Sequence, residues 1–163
     1  NREIYKQGYY IIGTGANEDL IVLNLNTATV GFVDSDAFYR GEAEVDINAL
    51  FNEPITQGKI VYMQSYRKGQ NAGGDYFKYD EAQKDVNNGI TIFNGWIRQY
   101  KSLDIFDAGA YLVGNNVSAV EIANNFAKQT GNKITIPDWF TAQADNSDID
   151  TKNFIGGNLK QLF

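Results

Sequence analysis

The stretch that decides the fold lies near the middle of the chain: residues 73–98 read GGDYFKYDEAQKDVNNGITIFNGWIR, and residues 104–116 read DIFDAGAYLVGNN. Two glycines precede an aromatic run that alternates with polar residues, which is typical of a β-strand with one buried face. Asn-Gly at 94–95 is a hairpin dipeptide. The order of these signals predicts a small, turn-rich sheet in which residues 90–93 pair with residues 96–100.

The composition also favours a β-rich protein. The chain has 163 residues, of which 43% are hydrophobic and 21% charged, as in ordinary globular proteins. Ten Tyr, ten Phe and 16 Gly favour strands and turns over helices. The length suits one domain or two small modules.

Charge and missing residue types exclude several functional classes. The net charge is −6, and the 14 basic residues are scattered, with only Arg67-Lys68 adjacent in a turn. Phosphate contacts need clustered Lys and Arg, so we expect no nucleic-acid partner. The chain has no Cys and no His, which removes disulfides, thiolate chemistry and the commonest general base and metal ligand. We expect no cofactor, no metal site and no membrane insertion.

The first third of the chain predicts a β-meander with strands near 9–12, 20–25 and 29–33. GTGAN at 13–17 has some likeness to a phosphate loop, but it lacks the GxGxxG spacing and precedes a strand-like run. A hairpin turn is the better interpretation. A short helix is predicted within 41–54, where Asp46 occupies a capping position and Pro54 prevents continuation.

Three acidic residues in this region, Asp34, Asp36 and Glu42, raise the question of a calcium site. The spacing of a calcium-binding loop is missing, so we interpret them as solvated turn carboxylates.

The last third has a different pattern. Residues 118–121 read SAVE, a capping-box sequence, and predict that Ser118 caps a helix over 118–130 that ends at Gly131. Residues 133–136 predict a short strand stopped by Pro137. After it, isolated apolar residues alternate with Asn, Asp and Gly, which suits the first coils of a parallel β-helix. An irregular loop would have the same pattern.

Taken in order, the motifs of residues 73–137 resemble a junction in bacteriophage tailspikes, which are trimeric receptor-binding proteins with pectate-lyase-like β-helices. The resemblance covers about 65 residues and depends on the order and spacing of the motifs. The motifs are Gly73-Gly74-Asp75-Tyr76-Phe77, Tyr79-Asp80, Asn87-Asn88-Gly89, Trp96-Ile97-Arg98, Phe106 with Ala108-Gly109-Ala110, the helix 118–130, and Ile136-Pro137. One departure is clear: the family's Asp-Gly-x-x-Asp-Asp stretch is replaced by 112–118, LVGNNVS, which keeps Gly114 but lacks the carboxylates.

The resemblance implies a mainly β fold with a few short helices, in which small β-rich N-terminal domains lead into a capping helix and the start of a parallel β-helix. It divides the chain into a virion-proximal β-meander module with a short helix (1–58), a small β domain (59–103), and a capping helix with the first β-helix coils (104–163). The chain would be the N-terminal attachment or connector part of a longer protein.

The same resemblance implies partners and a location. We expect a homotrimer within the virion tail, assembled in the host cytoplasm. Its N-terminal part would dock on other tail or baseplate proteins, and a part beyond Phe163 would adsorb to host surface polysaccharide. Any cleavage of that polysaccharide would occur there, so we expect no catalytic residue in this chain.

Five residues are predicted to serve in packing or at subunit interfaces: Phe77, Trp96, Arg98, Phe106 and Phe126. Trp96 and Arg98 could instead stack on a sugar, but the apolar neighbours of Trp96 favour the packing interpretation. A glycosidase pair among the carboxylates of the last third needs two carboxyl groups within about 5–10 Å, which sequence alone does not show. These carboxylates are Asp104, Asp107, Asp138, Asp145, Asp148 and Asp150.

Two alternatives belong to other classes. Residues 8–34 are similar to the central strands of SMI1/KNR4-type immunity proteins, which would make the chain a toxin-binding protein of the cell interior. That family's leading helices have no counterpart in the few residues before the strands. The third hypothesis is a capsule-depolymerising glycan hydrolase or lyase whose active site includes these residues.

Overall fold

The structure, a computed structural model, describes residues 8–16, 19–34 and 44–162, and most of its regular elements are strands. The strands are β1 (Tyr9–Thr14), β2 (Leu20–Asn24), β3 (Thr29–Val33), β4 (Ile60–Ser65), β5 (Gly73–Tyr79), β6 (Ile92–Phe93), β7 (Trp96–Arg98), β8 (Ile134–Thr135), β9 (Thr141–Ala144), β10 (Phe154–Ile155) and β11 (Asn158–Gln161). The helices are α1 (Ile47–Phe51) and α2 (Val117–Thr130), with 3₁₀ turns at Glu81–Gln83, Ile105–Ala108 and Thr151–Asn153. A mainly β fold with a few short helices is therefore confirmed.

The predicted β-meander is present as an antiparallel sheet in the order β1-β2-β3. The Gly-rich segment after β1 is a hairpin turn, in which Gly15 N–H donates to the Asp19 carbonyl at 2.7 Å. A strand and not a helix follows this turn, which agrees with the hairpin interpretation and not with a phosphate loop. Of the three acidic residues weighed for calcium, Asp36 and Glu42 lie outside the described residues.

Helix α1 begins where the sequence predicts. The Asp46 side chain accepts a hydrogen bond from Ala49 N–H at 2.9 Å, which satisfies one of the free amides of the first turn. Leu50 is fully buried against Met63, Phe77 and Trp96. The helix thus covers one face of a second sheet, which is formed by β4 to β7.

That second sheet has four antiparallel strands in the order β4-β5-β7-β6. Phe93 pairs with Trp96 across a two-residue turn in which Asn94 and Gly95 have φ angles of 48° and 93°. Positive φ at both central positions is the geometry that Asn-Gly favours, because it matches the twist of the two strands. The predicted hairpin is confirmed.

Helix α2 has the predicted span, but its predicted cap is wrong. The helix starts at Val117, the N-cap residue Asn116 makes no side-chain cap bond, and Ser118 lies exposed in the first turn. Val117 N–H instead donates to the Asn115 side chain at 2.9 Å. The end is as predicted, since Gly131 adopts φ 77° and its N–H bonds to the Ala127 carbonyl.

Below α2 lie two short parallel strand pairs, β8 with β10 and β9 with β11. The apolar face of α2, which includes Val120, Ala123 and Phe126, is buried in one core with Ile134 of β8 and Ala142 of β9. Burial of such a face is the main source of stability for a helix in a protein. The described residues contain small parallel sheets and no closed β-helix.

A buried side-chain amide also connects α2 to the loop between β9 and β10. Asn124 lies on the inner face of the helix, and its Nδ2 donates to the Asp148 carbonyl at 3.1 Å. Its Oδ1 accepts from Asp150 N–H at 3.1 Å and from Asn153 Nδ2 at 2.8 Å. One side chain therefore satisfies three polar groups of the loop.

We expect Asn124→Ala to lower the free energy of unfolding by about 1–3 kcal/mol, because it removes the three hydrogen bonds that this buried side chain makes to the loop. The matched control is Asn125→Ala, which changes an exposed amide on the same helix and should have an effect within about 0.5 kcal/mol. Urea denaturation measures both. Amide hydrogen exchange at Asp150 should accelerate in Asn124→Ala alone, and unchanged protection there would contradict the role given to Asn124.

Candidate functional site

The site with the densest polar contacts is built around Arg98, a buried arginine at the end of β7. Its Nε donates to the Ile90 carbonyl at 2.7 Å, and its Nη1 donates to the Gly73 carbonyl at 3.0 Å. Nη1 also contacts Asp107 Oδ1 at 3.0 Å, and Nη2 donates to the Asp107 carbonyl at 3.2 Å. The guanidinium therefore joins the four-stranded sheet to the 3₁₀ turn that precedes α2.

The groups that receive these hydrogen bonds are held in place by local structure. Asn88 Oδ1 accepts from the amides of Ile90, Thr91 and Ile92 at 3.1, 2.8 and 2.9 Å, which fixes the turn that presents the Ile90 carbonyl. This is the side-chain chemistry for which Asn is favoured in turns. The Asn-Asn-Gly sequence thus positions the Ile90 carbonyl, which is the acceptor for Arg98 Nε.

Asp107 is positioned by a capping box within the 3₁₀ turn Ile105–Ala108. Asp104 Oδ1 accepts from the amides of Phe106 and Asp107 at 2.9 and 3.2 Å, and Asp107 Oδ2 accepts from Asp104 N–H at 2.8 Å. The other oxygen of Asp107 is left for Arg98. The same carboxylate therefore closes the turn and pairs with the buried cation.

Gly73 and Gly74 allow this close approach of sheet and turn. Gly73 has φ 77°, and a Cβ there would overlap the Phe106 carbonyl oxygen. A Cβ at Gly74 would overlap the carbonyl oxygens of Met63 and Gln64, both in β4. The two glycines that begin β5 are required by backbone contacts on both sides of the strand.

The carboxyl groups of this cluster titrate unusually. Burial raises the pKa of Asp75 to about 7, although Arg98 Nη1 lies 3.9 Å from its Oδ2 and favours the charged form. Burial also raises the pKa of Asp107 to about 6, against the attraction of Arg98 at 3.0 Å. For each carboxyl group, the cost of removing its charged form from water outweighs the attraction of the one guanidinium that the two groups share.

A pH dependence follows for Asp75. Since its pKa is about 7 in the folded chain and 3.8 is its ordinary value, the folded form holds a proton between these values that the unfolded form has lost. The free energy of unfolding then falls as pH rises through this window. Asp75→Asn has no carboxyl group at this position and therefore lacks this pH dependence. Its free energy of unfolding relative to wild type should increase as pH rises from about 4 to about 7, and should level off above pH 7.

Burial raises the pKa of Glu44 to about 7, and the pKa of Asp107 is raised as well. Both residues are present in wild type and in Asp75→Asn, so the urea denaturation curves of these two proteins should be compared with each other at each pH. A free energy of unfolding of Asp75→Asn that falls relative to wild type as pH rises through this range would contradict the raised pKa of Asp75.

The structure places all five residues predicted for packing or interfaces inside the chain. Phe77 and Trp96 are buried under α1, and Phe106 and Phe126 belong to the core beneath α2. The Arg98 guanidinium lies over the Phe77 ring, 4.9 Å from its centre. Since Trp96 is 1% exposed and Arg98 is buried, neither side chain can stack on a sugar.

The candidate glycosidase carboxylates are dispersed among structural roles. Asp104 and Asp107 come together in the capping box. The backbone groups of Asp148 and Asp150 bond to Asn124, and Asp138 Oδ1 accepts from Gly157 N–H at 3.4 Å. Among the described residues, no group of three acidic side chains is arranged to hold a metal ion.

Sequence reasoning missed three features. The role of Asp75 as the second acid beside Arg98 and the polar contacts of Asn124 depend on residues far away in the chain. Trp139 was not singled out, although it is 69% exposed beside a polar groove. The sequence does show a Trp directly after Ile136-Pro137-Asp138, but its exposure is a property of the fold. No helix in the described ranges is long and apolar enough to cross a membrane.

Comparison with known proteins agrees with this architecture. Residues 45–101 match the family described as phage tail protein small four-stranded beta-sheet domain, a range that covers α1 and the sheet β4-β5-β7-β6. The tailspike protein of Acinetobacter phage vB_ApiP_P1 is similar to 62% of this chain at 31% identity and a TM-score of 0.56. The match covers 19% of that tailspike. No curated protein matches the chain.

Two further solved structures share the fold at lower identity. The enzymatically active domain of tailspike protein 4 from bacteriophage CBA120 is similar to 82% of this chain, with 18% identity, a TM-score of 0.58 and 21% of its own length covered. Pantoea stewartii WceF, a glycan biofilm modifying enzyme with a tailspike-like parallel β-helix fold, is similar to 78% of this chain, with 16% identity, a TM-score of 0.55 and 20% of its own length covered.

The chain thus spans about a fifth of the length of the solved structures that it matches. The predicted resemblance to bacteriophage tailspikes is confirmed. Residues 45–101 match the phage tail protein small four-stranded β-sheet domain, and the chain that carries them is similar to phage tailspike proteins over part of their length.

Proposed function

We propose that the chain is the connector part of a phage tailspike, which links the virion-proximal end of the protein to a parallel β-helix that adsorbs to host surface polysaccharide. The proposal divides the chain into a meander module (1–58), a small β domain (59–103) and a capping helix with the first β-helix coils (104–163). The whole protein would reside in the virion tail.

The observation that carries this proposal is the position of α2 over the parallel strand pairs. A parallel stack of strands has an open end, where backbone groups and apolar side chains need cover. Val120, Ala123 and Phe126 of α2 supply apolar cover above β8 and β9. The four-stranded sheet is joined to that cap through Arg98, as a connector requires.

A homotrimer is part of the proposal. Phe77, Trp96, Arg98, Phe106 and Phe126 are buried within the chain, so we assign them to packing inside the subunit. The loop before α2 is a better candidate for subunit contact, since Val113 is 89% exposed and Tyr111 and Leu112 are exposed beside it. Exposed apolar side chains that adjoin one another support an interaction surface.

The test is the oligomeric state and location of the whole protein that carries these residues. We expect light scattering to give a trimer, and mass spectrometry of purified virions to find the protein in the tail fraction. Adsorption of virions to host cells should be blocked by the isolated protein. A monomer, or a protein absent from virions, would contradict the proposal.

A further inference from the structure

Trp139 is an exposed aromatic side chain that the connector role does not use. It follows Pro137 in the turn between β8 and β9, and 69% of its surface is exposed. Its ring stacks on Phe106, with an interplanar angle of 13° and 5.7 Å between centres, and contacts the edge of Phe140. Phe106 is itself buried, so one face of the indole is held against the core.

This arrangement keeps the other face of the indole open and fixed. A Trp ring that is already immobilised loses little further side-chain entropy when a ligand covers it. The open face is flat, apolar and electron-rich, which suits the axial C–H groups of a pyranose ring. A rigid exposed indole is therefore a preformed stacking surface.

The groove beside the ring is polar and has the size of a ligand site. Trp139, Pro137 and Leu112 line one part of a cleft of about 540 Å³, which lies within the range of about 300–1,000 Å³ of ligand pockets. Gln64 and Asn71 bring exposed side-chain amides to the same cleft, and Tyr62 brings its phenol ring. An aromatic surface flanked by amides offers stacking together with hydrogen bonds to hydroxyl groups.

The charge of the groove restricts the ligand. The lining residues include the acidic residue Asp104 and no Lys or Arg, and the chain carries a net charge of −6. An anionic sugar would meet like charge with no cation to pair with, which disfavours binding. A neutral sugar meets hydrogen-bonding groups, the indole and a few other apolar side chains, and no charge repels it.

We propose that Trp139 and this groove form a subsite for a neutral hexopyranose oligosaccharide. The subsite lies on the connector itself, ahead of any polysaccharide-binding region of the β-helix. It requires neither a trimer nor the virion role, so its test is separate from the tests of the proposed function.

The experiment uses the whole protein and its Trp139→Phe variant. The difference between their fluorescence spectra reports Trp139 alone, because all other Trp residues, including the buried Trp96, contribute equally. Titration with neutral cellohexaose, chitohexaose and maltohexaose should shift this difference spectrum to shorter wavelength and reduce its quenching by acrylamide. An oligogalacturonate of matched length, which is anionic, should give a dissociation constant at least about tenfold larger.

Two further variants separate recognition from folding. Trp139→Ala should weaken binding measured by calorimetry about five- to tenfold, and Gln64→Ala about threefold. Asn125→Ala, an exposed amide on α2 outside the groove, should bind as wild type does. Circular dichroism and the urea midpoint verify that each variant is folded.

Three results would overturn the proposal. The first is a difference spectrum that none of the neutral oligosaccharides changes. The second is Trp139 already shielded from acrylamide in the sugar-free oligomer, which would assign the ring to a subunit contact. The third is equal binding of the anionic oligosaccharide.

Discussion

Replacing Arg98 by methionine is expected to lower the free energy of unfolding by about 3–5 kcal/mol. Methionine fills much of the space but donates no hydrogen bond, so the carbonyls of Gly73 and Ile90 lose their Arg98 donors. Asp75 and Asp107 would remain buried without the cation that faces both of them. Urea denaturation near neutral pH measures the loss.

The matched control is Lys84→Met, which removes a cation whose pair with Glu81, 3.6 Å away, is exposed. Its effect should stay below about 1 kcal/mol. The loss in Arg98→Met should be largest above about pH 7, where the wild-type carboxyls are charged, and should shrink as pH falls to about 6 and level off below, because protonated carboxyls are buried at smaller cost. Equal effects of the two methionine variants, or a loss that does not depend on pH, would contradict the role of Arg98 as the shared partner of two acids.

Gly73→Ala is expected to lower the free energy of unfolding by about 3–5 kcal/mol. Two effects add: an L-residue at φ 77° is strained, and the new Cβ would overlap the Phe106 carbonyl oxygen. The second contact is with backbone, so the 3₁₀ turn Ile105–Ala108 must move away from β5. That movement would also lengthen the hydrogen bonds from Arg98 to Asp107.

Gly69→Ala isolates the first effect. Gly69 has φ 82°, and an added Cβ there meets no atom within 4 Å, so only backbone strain of about 1–2 kcal/mol is expected. The difference between the two variants in urea denaturation measures the close contact between strand and turn. A difference near zero would mean that the turn yields freely, and that the approach at Gly73 is not a constraint on the fold.

The local elements were predictable because their signals are local. The Asn94-Gly95 turn, the Asp46 cap and the Gly131 end of α2 each depend on residues within a few positions along the chain. The α2 face was also predictable, because apolar residues at helical spacing need cover. The sequence therefore predicted the order and type of most elements.

The start of α2 shows where local reasoning failed. SAVE at 118–121 matches a capping box, yet Asn116 fixes the loop two residues earlier. Its side chain bonds to both backbone groups of Tyr111 at 2.6 and 3.0 Å, and its N–H donates to the Gln143 side chain at 2.9 Å. The partner Gln143 lies in β9, so a contact 27 residues away decides the position of the first turn.

The candidate site was predictable only in part. The Trp-x-Arg strand and the two glycines marked the region, but the acceptors of Arg98 lie 8, 9 and 25 residues away. Burial of a charge is set by how these segments meet, which spacing along the chain does not encode. The same holds for Trp139, because only the fold shows that its ring stacks on Phe106.

The Arg98 contacts also determine where the protein can be divided in engineering. The matched domain ends at residue 101, but a truncation or graft made there would separate the guanidinium from Asp107. Ile105 and Ala108 in turn pack in one core with Val120, so a transplant that includes the turn also needs the helix. The smallest exchangeable cassette therefore runs past the family boundary and includes α2 together with the strands packed beneath it, because Ile134 of β8 and Ala142 of β9 share that core.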